Sequence, residues 1–175
     1  MNLSNSWYKV VAPAMENAEI GEIYGNQENL IGRTVEINAN DLPKMKSRSG
    51  YSVRFRITAV SESTATAELE ALTLAREQVS RLVRHRVSKI DYVVKIKIGD
   101  KDYRFKVVVV INLAKNFYKT AVRKGISDFL NTEIKDQNLK DIFIDSMTGK
   151  IQNQLHKKLN KIYPTRVAEI RAITP

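Results

Sequence analysis

Two histidines, His85 and His156, and no cysteine are found along the 175 residues, so thiol chemistry is absent and imidazole chemistry is confined to two positions. Each histidine sits among basic residues, as Arg84-His85-Arg86 and His156-Lys157-Lys158, rather than beside the carboxylates that orient a catalytic or metal-bound imidazole. Asp141 and Asp145 are spaced so that one helical face would bring two carboxylates near a metal. Acids in the first turns of a helix are favoured by its dipole alone, which is the simpler reading. The seven glycines are scattered singly, so none of the runs that cradle phosphates or expose a nucleophile occurs. Without thiols there are no disulfides and no thiolate metal sites. No catalytic site, metal or cofactor is expected, and the chain is not expected to be an enzyme.

What the residue types do support is the binding of polyanions. Lys and Arg number 29 against 19 Asp and Glu, a net charge of +10, which points to nucleic acid or an anionic surface. Lys44, Lys46 and Arg48 precede Arg54 and Arg56, five positive charges without an acid between them. A merely solvated loop and strand face would usually carry balancing acids, so RNA contact is the preferred reading. Arg81, Arg84, Arg86 and Lys89 form a second cluster, with His85 inside it. A helix C-terminus accounts for some of these charges, but Arg is also the side chain best matched to phosphate oxygens. Lys157, Lys158 and Lys161 form a third cluster, for which a solvated helix face is nearly as good an account. Trp7, Tyr8 and Tyr51 have rings able to stack on unpaired bases. Aromatics beside strands are more often core, and Trp7 is the best stacking candidate.

These side chains need elements to hold them. Residues Tyr51 to Val60 alternate, with Tyr51, Val53, Phe55, Ile57 and Ala59 on one face, and Thr64 to Leu72 alternate again; both read as strands. Ile90 to Ile98, the turn residues Gly99-Asp100-Lys101-Asp102 and Tyr103 to Ile111 read as a hairpin. Shorter strands are expected at Tyr8 to Ala12 and Thr34 to Asn38, and a last one at Thr165 to Ile173. Helices are expected at Leu74 to Arg86, Ala114 to Leu130, Asn138 to Met147 and Gly149 to Ile162. The second of these has Phe117, Ala121, Val122, Ile126, Phe129 and Leu130 at helical spacing, and the last has Ile151, Leu155, Leu159 and Ile162 inward. The class is α+β, largely antiparallel, with about seven strands and four helices in a single domain of residues 1–175. Met1 to Ser6 is the one stretch that reads as disordered. It resembles neither a secretory leader nor a transit peptide, and no apolar run suffices for a membrane span, so a cytoplasmic protein is expected.

Several short motifs, in order, carry a resemblance. Trp7-Tyr8-Lys9-Val10-Val11-Ala12-Pro13, Ile20-Gly21-Glu22 and Leu30-Ile31-Gly32-Arg33-Thr34-Val35-Glu36 resemble the N-terminal half of the S3Ae (eS1) family, small-subunit ribosomal proteins of archaea and eukaryotes. Leu82-Val83-Arg84 with Arg86, Ser88-Lys89-Ile90-Asp91, Lys161-Ile162-Tyr163-Pro164 and Glu169-Ile170-Arg171 continue the family order. The resemblance spans nearly the whole chain. It implies a barrel-like antiparallel sheet with packed helices, bound to small-subunit rRNA on the platform near the mRNA exit. It further implies neighbouring small-subunit proteins as partners, mRNA within reach, no membrane and no homo-oligomer. Arg84, Arg86, Ser88 and Lys89 fall on the family's basic motif and are the rRNA contacts it implies. The family often has Arg where His85 stands, and Arg-Ser where this chain has Ser80-Arg81. Without the family's Lys-rich extension before the Trp-Tyr pair or a tail after Pro175, the chain resembles a short archaeal-type member. The alternative to a structural ribosomal protein is a free-standing RNA-binding module or translation factor that grips oligonucleotides by stacking.

Overall fold

The computed structural model describes residues 5–42, 50–99, 101–134 and 137–175. The chain divides into two compact units, Met1–Ala71 and Leu72–Pro175.

In the first unit, β1 (Ser6–Ala12) pairs antiparallel with β2 (Ala18–Gly25) and, over Lys9 to Val11, parallel with β5 (Thr64–Leu74). β3 (Thr34–Asn38) pairs antiparallel with β4 (Tyr51–Val60), which in turn lies beside β5. A single helical turn, α1 (Gln27–Leu30), follows β2. Because side chains alternate across a strand, β4 sends Tyr51, Val53, Phe55 and Ile57 into the core and β5 adds Ala65, Ala67 and Leu69. Ala59, expected on that inner face, is exposed where β4 nears its final turn. The β1–β2 connection runs through a 3-10 turn at Pro13–Met15 and then Glu16 and Asn17, both with left-handed φ of 57°. The disorder expected for Met1 to Ser6 falls largely outside the described residues; Ser6 already belongs to β1.

In the second unit, α2 (Arg76–Leu82) leads to β6 (Val87–Ile98) and β7 (Lys101–Asn112), paired without interruption from Val87↔Asn112 to Ile98↔Lys101. That register leaves a two-residue turn in which Gly99 has a left-handed φ of 61°, the conformation tight hairpins need at that position. The helices α3 (Asn116–Glu133), α4 (Leu139–Thr148) and α5 (Lys150–Asn160) come next, and β8 (Thr165–Thr174) closes the chain beside β7 and the end of β5. Val107 to Ile111 are all buried. α3 packs on β6 and on α5, and α5 packs on β8. Gly149, with a φ of 85°, ends α4 by donating its N–H to the Asp145 and Ser146 carbonyls, a conformation at little cost only for glycine.

The architecture is the expected α+β, with eight strands and five helices among the described residues. The sheet does not close into a barrel. Its strands run β2-β1-β5-β8-β7-β6, with β4 and β3 branching from β5, and the outer strands β2 and β6 each pair on one side only among the described residues. α2 is shorter than the expected Leu74 to Arg86 because β5 continues through Leu74 and the helix stops at Val83, whose φ of −93° and ψ of 111° are extended; farther on, Arg86 takes a left-handed φ of 59°. Phe117, expected inward, is 77% exposed. At 100° per residue it stands about 140° around the helix from the buried Val122. Ile162 is 40% exposed, lying in the turn after α5 rather than on its inner face.

Candidate nucleic-acid interface

The arginine cluster of the second unit is built by the way α2 ends. Arg81 lies in its last turn, where the helix dipole favours a cation. The chain then turns through Arg84, His85 and Arg86, all exposed, before β6 begins. Among the described residues no carboxylate pairs with Arg81, Arg84 or Arg86. Arg81 and Arg84 line a shallow depression of about 270 Å³ with Leu82, Val87, Val167 and Arg166. Arg166 was not singled out from sequence, since it is brought to this place only by the β7–β8 pairing, Val110↔Val167 and Ile111↔Thr165. Its Nε donates to Asn112 Oδ1 at 2.7 Å, which steadies the guanidinium. Ser88 is turned inward, 6% exposed, and its Oγ accepts the Ala114 N–H at 3.3 Å, so it positions the loop. Lys89 is exposed and its Nζ stands 2.9 Å from Asp91 Oδ2.

The first unit treats its arginines differently. Arg54 pairs with Glu36 at 3.1 Å, and Arg56 pairs with Glu70. The acids missing from the local sequence arrive from neighbouring strands, Glu36 being the direct cross-strand partner of Arg54. The exposed Arg54–Glu36 pair is worth only about 0–1 kcal/mol and opens cheaply to a phosphate, whereas Glu70 is only 14% exposed and holds Arg56 more firmly. Lys44, Lys46 and Arg48 lie outside the described residues. Tyr8 and Tyr51 are core residues, whereas Trp7 is 65% exposed, its ring 5.3 Å from that of Tyr24. Its surroundings are not basic: residues 1–42 hold Lys9 and Arg33 against Glu16, Glu19, Glu22, Glu28, Glu36 and Asp41. Lys9 bonds Glu19 at 3.1 Å, and that hydrogen bond with the attraction of the carboxylate raises its pKa above the ordinary lysine value.

Lys157, Lys158 and Lys161 line an open depression of about 390 Å³ with Phe129, Glu133 and Gln154. Lys157 and Lys158 occupy the last turn of α5, where the helix dipole favours them, and Lys158 Nζ stands 5.4 Å from the centre of the Phe129 ring. His156 Nε2 is 2.9 Å from the Thr165 carbonyl, a bond that ties α5 to β8. Asp145 pairs with Lys150 at 3.2 Å and Asp141 lies in the first turn of α4. Among the described residues no three His, Asp or Glu side chains converge on a common point, and no helix is long and apolar enough to cross a membrane.

Two basic features escaped the sequence reading. On the outer face of the hairpin Lys95, Lys97 and Arg104 are exposed, and Lys95 is the direct partner of Arg104, a like-charge pair that costs stability unless an anion covers it. The alternation of Lys with Ile over Lys95 to Ile98 was the available signal. The other feature is the start of α3, where Lys115 is the N-cap, Lys119 follows, and the first turn holds no acid. Cations there oppose the helix dipole, so local structure gives no reason for them.

A family model, described as the ribosomal S3Ae family, matches residues 4–174. The chain belongs to that family. Among similar curated proteins, the small ribosomal subunit protein eS1 of Haloquadratum walsbyi is 24% identical, the match covering 98% of this chain and 82% of that protein. The protein of the same name from Methanopyrus kandleri is 32% identical over 94% of this chain and 82% of its own length. That of Methanoculleus marisnigri is 28% identical over 95% and 87%. Membership in the S3Ae family makes this a structural ribosomal protein rather than an enzyme.

Proposed function

We propose that this S3Ae protein is a cytoplasmic structural constituent of the small ribosomal subunit, a single domain of residues 1–175 that clamps rRNA on the platform near the mRNA exit, beside other small-subunit proteins and within reach of mRNA. The observation that carries the rRNA contact is the group Arg81, Arg84 and Arg86 left without carboxylate partners among the described residues, with Arg166 added from β8. Four guanidiniums, two on α2 and β8 and two in the turn between α2 and β6, suit the bidentate geometry of phosphate oxygens. A-form RNA hides its base edges in a deep groove, so recognition rests on backbone shape and position. His85 and Lys89 extend this surface, Lys157, Lys158 and Lys161 form a second footing, and Lys44, Lys46 and Arg48 with Arg54 and Arg56 a third. The free-standing module is less favoured because the exposed Trp7 lies in an acid-rich segment. Co-sedimentation of tagged protein from its own cells through a sucrose gradient, with and without a high-salt wash, tests the reading. Stoichiometric travel with the small subunit that survives the wash is expected. Protein left at the top, or washed off freely, would give the lead to the free-standing module or factor.

A further inference from the structure

Leu113 and Phe117, where β7 gives way to α3, are 72% and 77% exposed. Behind them the rings are held in fixed geometry. Phe117 meets Tyr118 edge-on at 5.5 Å, Tyr118 lies 4.7 Å from Tyr163, and the Tyr163 hydroxyl donates to the Leu113 carbonyl at 3.0 Å. Phe117 thus stands on a built support with its own ring in solvent. From Asn112 to Ser127 the chain carries Lys115, Lys119, Arg123 and Lys124 and no acid. Lys115 and Lys124 are exposed, and Lys124 lies on the same helical face as Phe117, two turns on. An apolar protein partner would use the rings but would have to supply acids for these cations. An unpaired stretch of RNA uses both at once, its base stacking on the ring and its phosphates meeting the lysines. Arg166 links this place to the arginine depression, because Asn112, which accepts its hydrogen bond, immediately precedes Leu113.

We propose that Phe117 is a stacking platform for an unpaired RNA base, with Lys115 and Lys124 holding the phosphates on either side. The inference rests on the rRNA-binding reading and adds to it a single-stranded contact that the arginine cluster does not supply. Binding of the full chain to a labelled oligouridylate and to an RNA duplex tests it. Phe117→Ala is expected to weaken the single strand roughly 5- to 150-fold, the range found for loss of one base–aromatic stack, and to leave the duplex unchanged. Phe117→Trp is expected to retain the affinity, with its indole emission quenched by the bound oligonucleotide. Because Phe117 is exposed, neither change threatens the fold, which circular dichroism checks. If Phe117→Ala leaves the single strand unaffected while the Arg84→Ala, Arg86→Ala pair weakens both RNAs, the platform is refuted and the rRNA reading stands. If the wild-type chain binds neither RNA, both are refuted. A photoreactive phenylalanine at position 117 in assembled subunits separates the occupants: an adduct on rRNA supports the proposal, and an adduct on a protein overturns it.

Discussion

Arg86 holds a conformation that suits it badly. A left-handed φ costs a residue with a Cβ about 1–2 kcal/mol, and glycine would occupy it freely. Glycine also gives up about 0.5–1 kcal/mol through its more mobile unfolded state, so Arg86→Gly is expected to leave stability equal or up to about 1.5 kcal/mol higher, read by urea denaturation. The same change is expected to weaken rRNA binding, which would mark Arg86 as a residue kept for its charge at the expense of its backbone. For the pair Arg84→Ala with Arg86→Ala, the slope of log affinity against log salt should fall by roughly 0.7–0.9 for each phosphate no longer neutralised; filter binding over a salt series measures it, and an unchanged slope would remove these residues from the interface. The identity of Arg84 and Arg86 as exposed cations was legible from the run itself, because no acid stands near them in sequence or, among the described residues, pairs with them in space. The exposure of Arg54 and Arg56 on the outer face of β4 was legible as well, but their pairing was not, since a count along the chain cannot see Glu36 and Glu70 on adjacent strands. Ser88 shows the reverse error. It sits within a basic motif, yet strand alternation turns it inward to bind the Ala114 amide.

At the scale of elements, strand alternation carried the reading furthest. β3 and β4 have the expected bounds, and the hairpin is longer than expected at both ends: β6 starts at Val87, β7 runs to Asn112, and Lys101 and Asp102, expected in the turn, pair with Ile98 and Lys97 as the start of β7. β2 was missed because Ala18 to Gly25 is rich in glycine and glutamate, both depleted in strands, and its structure is imposed by pairing with β1. Phe117 was misassigned because three- and four-residue spacing from Ala121 was followed around the helix beyond the arc that is buried. That arc is Val122, Gly125, Ile126, Phe129 and Leu130, and Gly125 lets α3 approach α5 closely. A Cβ there would stand 2.5 Å from Ile162 Cδ1 and 3.1 Å from Leu159 Cδ2. The Ile162 side chain is half in solvent and can swing away, whereas Leu159 is fully buried. Gly125→Ala is therefore expected to stay within about 1 kcal/mol of wild type, its small crowding offset by the better helix propensity of alanine. Gly125→Leu is expected to cost about 1–3 kcal/mol, as overpacked cores do. Thermal unfolding of the two variants distinguishes this from a glycine placed there for flexibility, which would make the two substitutions equally harmful.

Over the whole molecule, charge divides between the two units. Met1–Ala71 carries seven Lys and Arg against nine Asp and Glu, and Leu72–Pro175 carries twenty-two against ten. The net +10 is thus a net −2 and a net +12. The overall charge alone pointed to a polyanion, but averaging hid which half would meet it, and the barrel-like sheet implied by resemblance gave no sign that, among the described residues, β6 pairs on one side only with Lys95 and Lys97 exposed on it. Long-range electrostatic attraction to RNA scales with local charge density, so the second unit should carry most of the contact. Lysine acetylation of the free protein and of assembled small subunits, followed by peptide mass mapping, measures this directly. Lys95, Lys97, Lys115, Lys157 and Lys161 are expected to lose reactivity on assembly. Lys9, held by Glu19 in the acid-rich segment, is expected to react equally in both states. Lys44 and Lys46 provide the internal contrast: protection there with Lys9 still reactive would extend the RNA surface to one loop of the first unit. Protection of Lys9 with the hairpin and α3 lysines left open would reverse the polarity argued from charge and place the acid-poor half toward solvent.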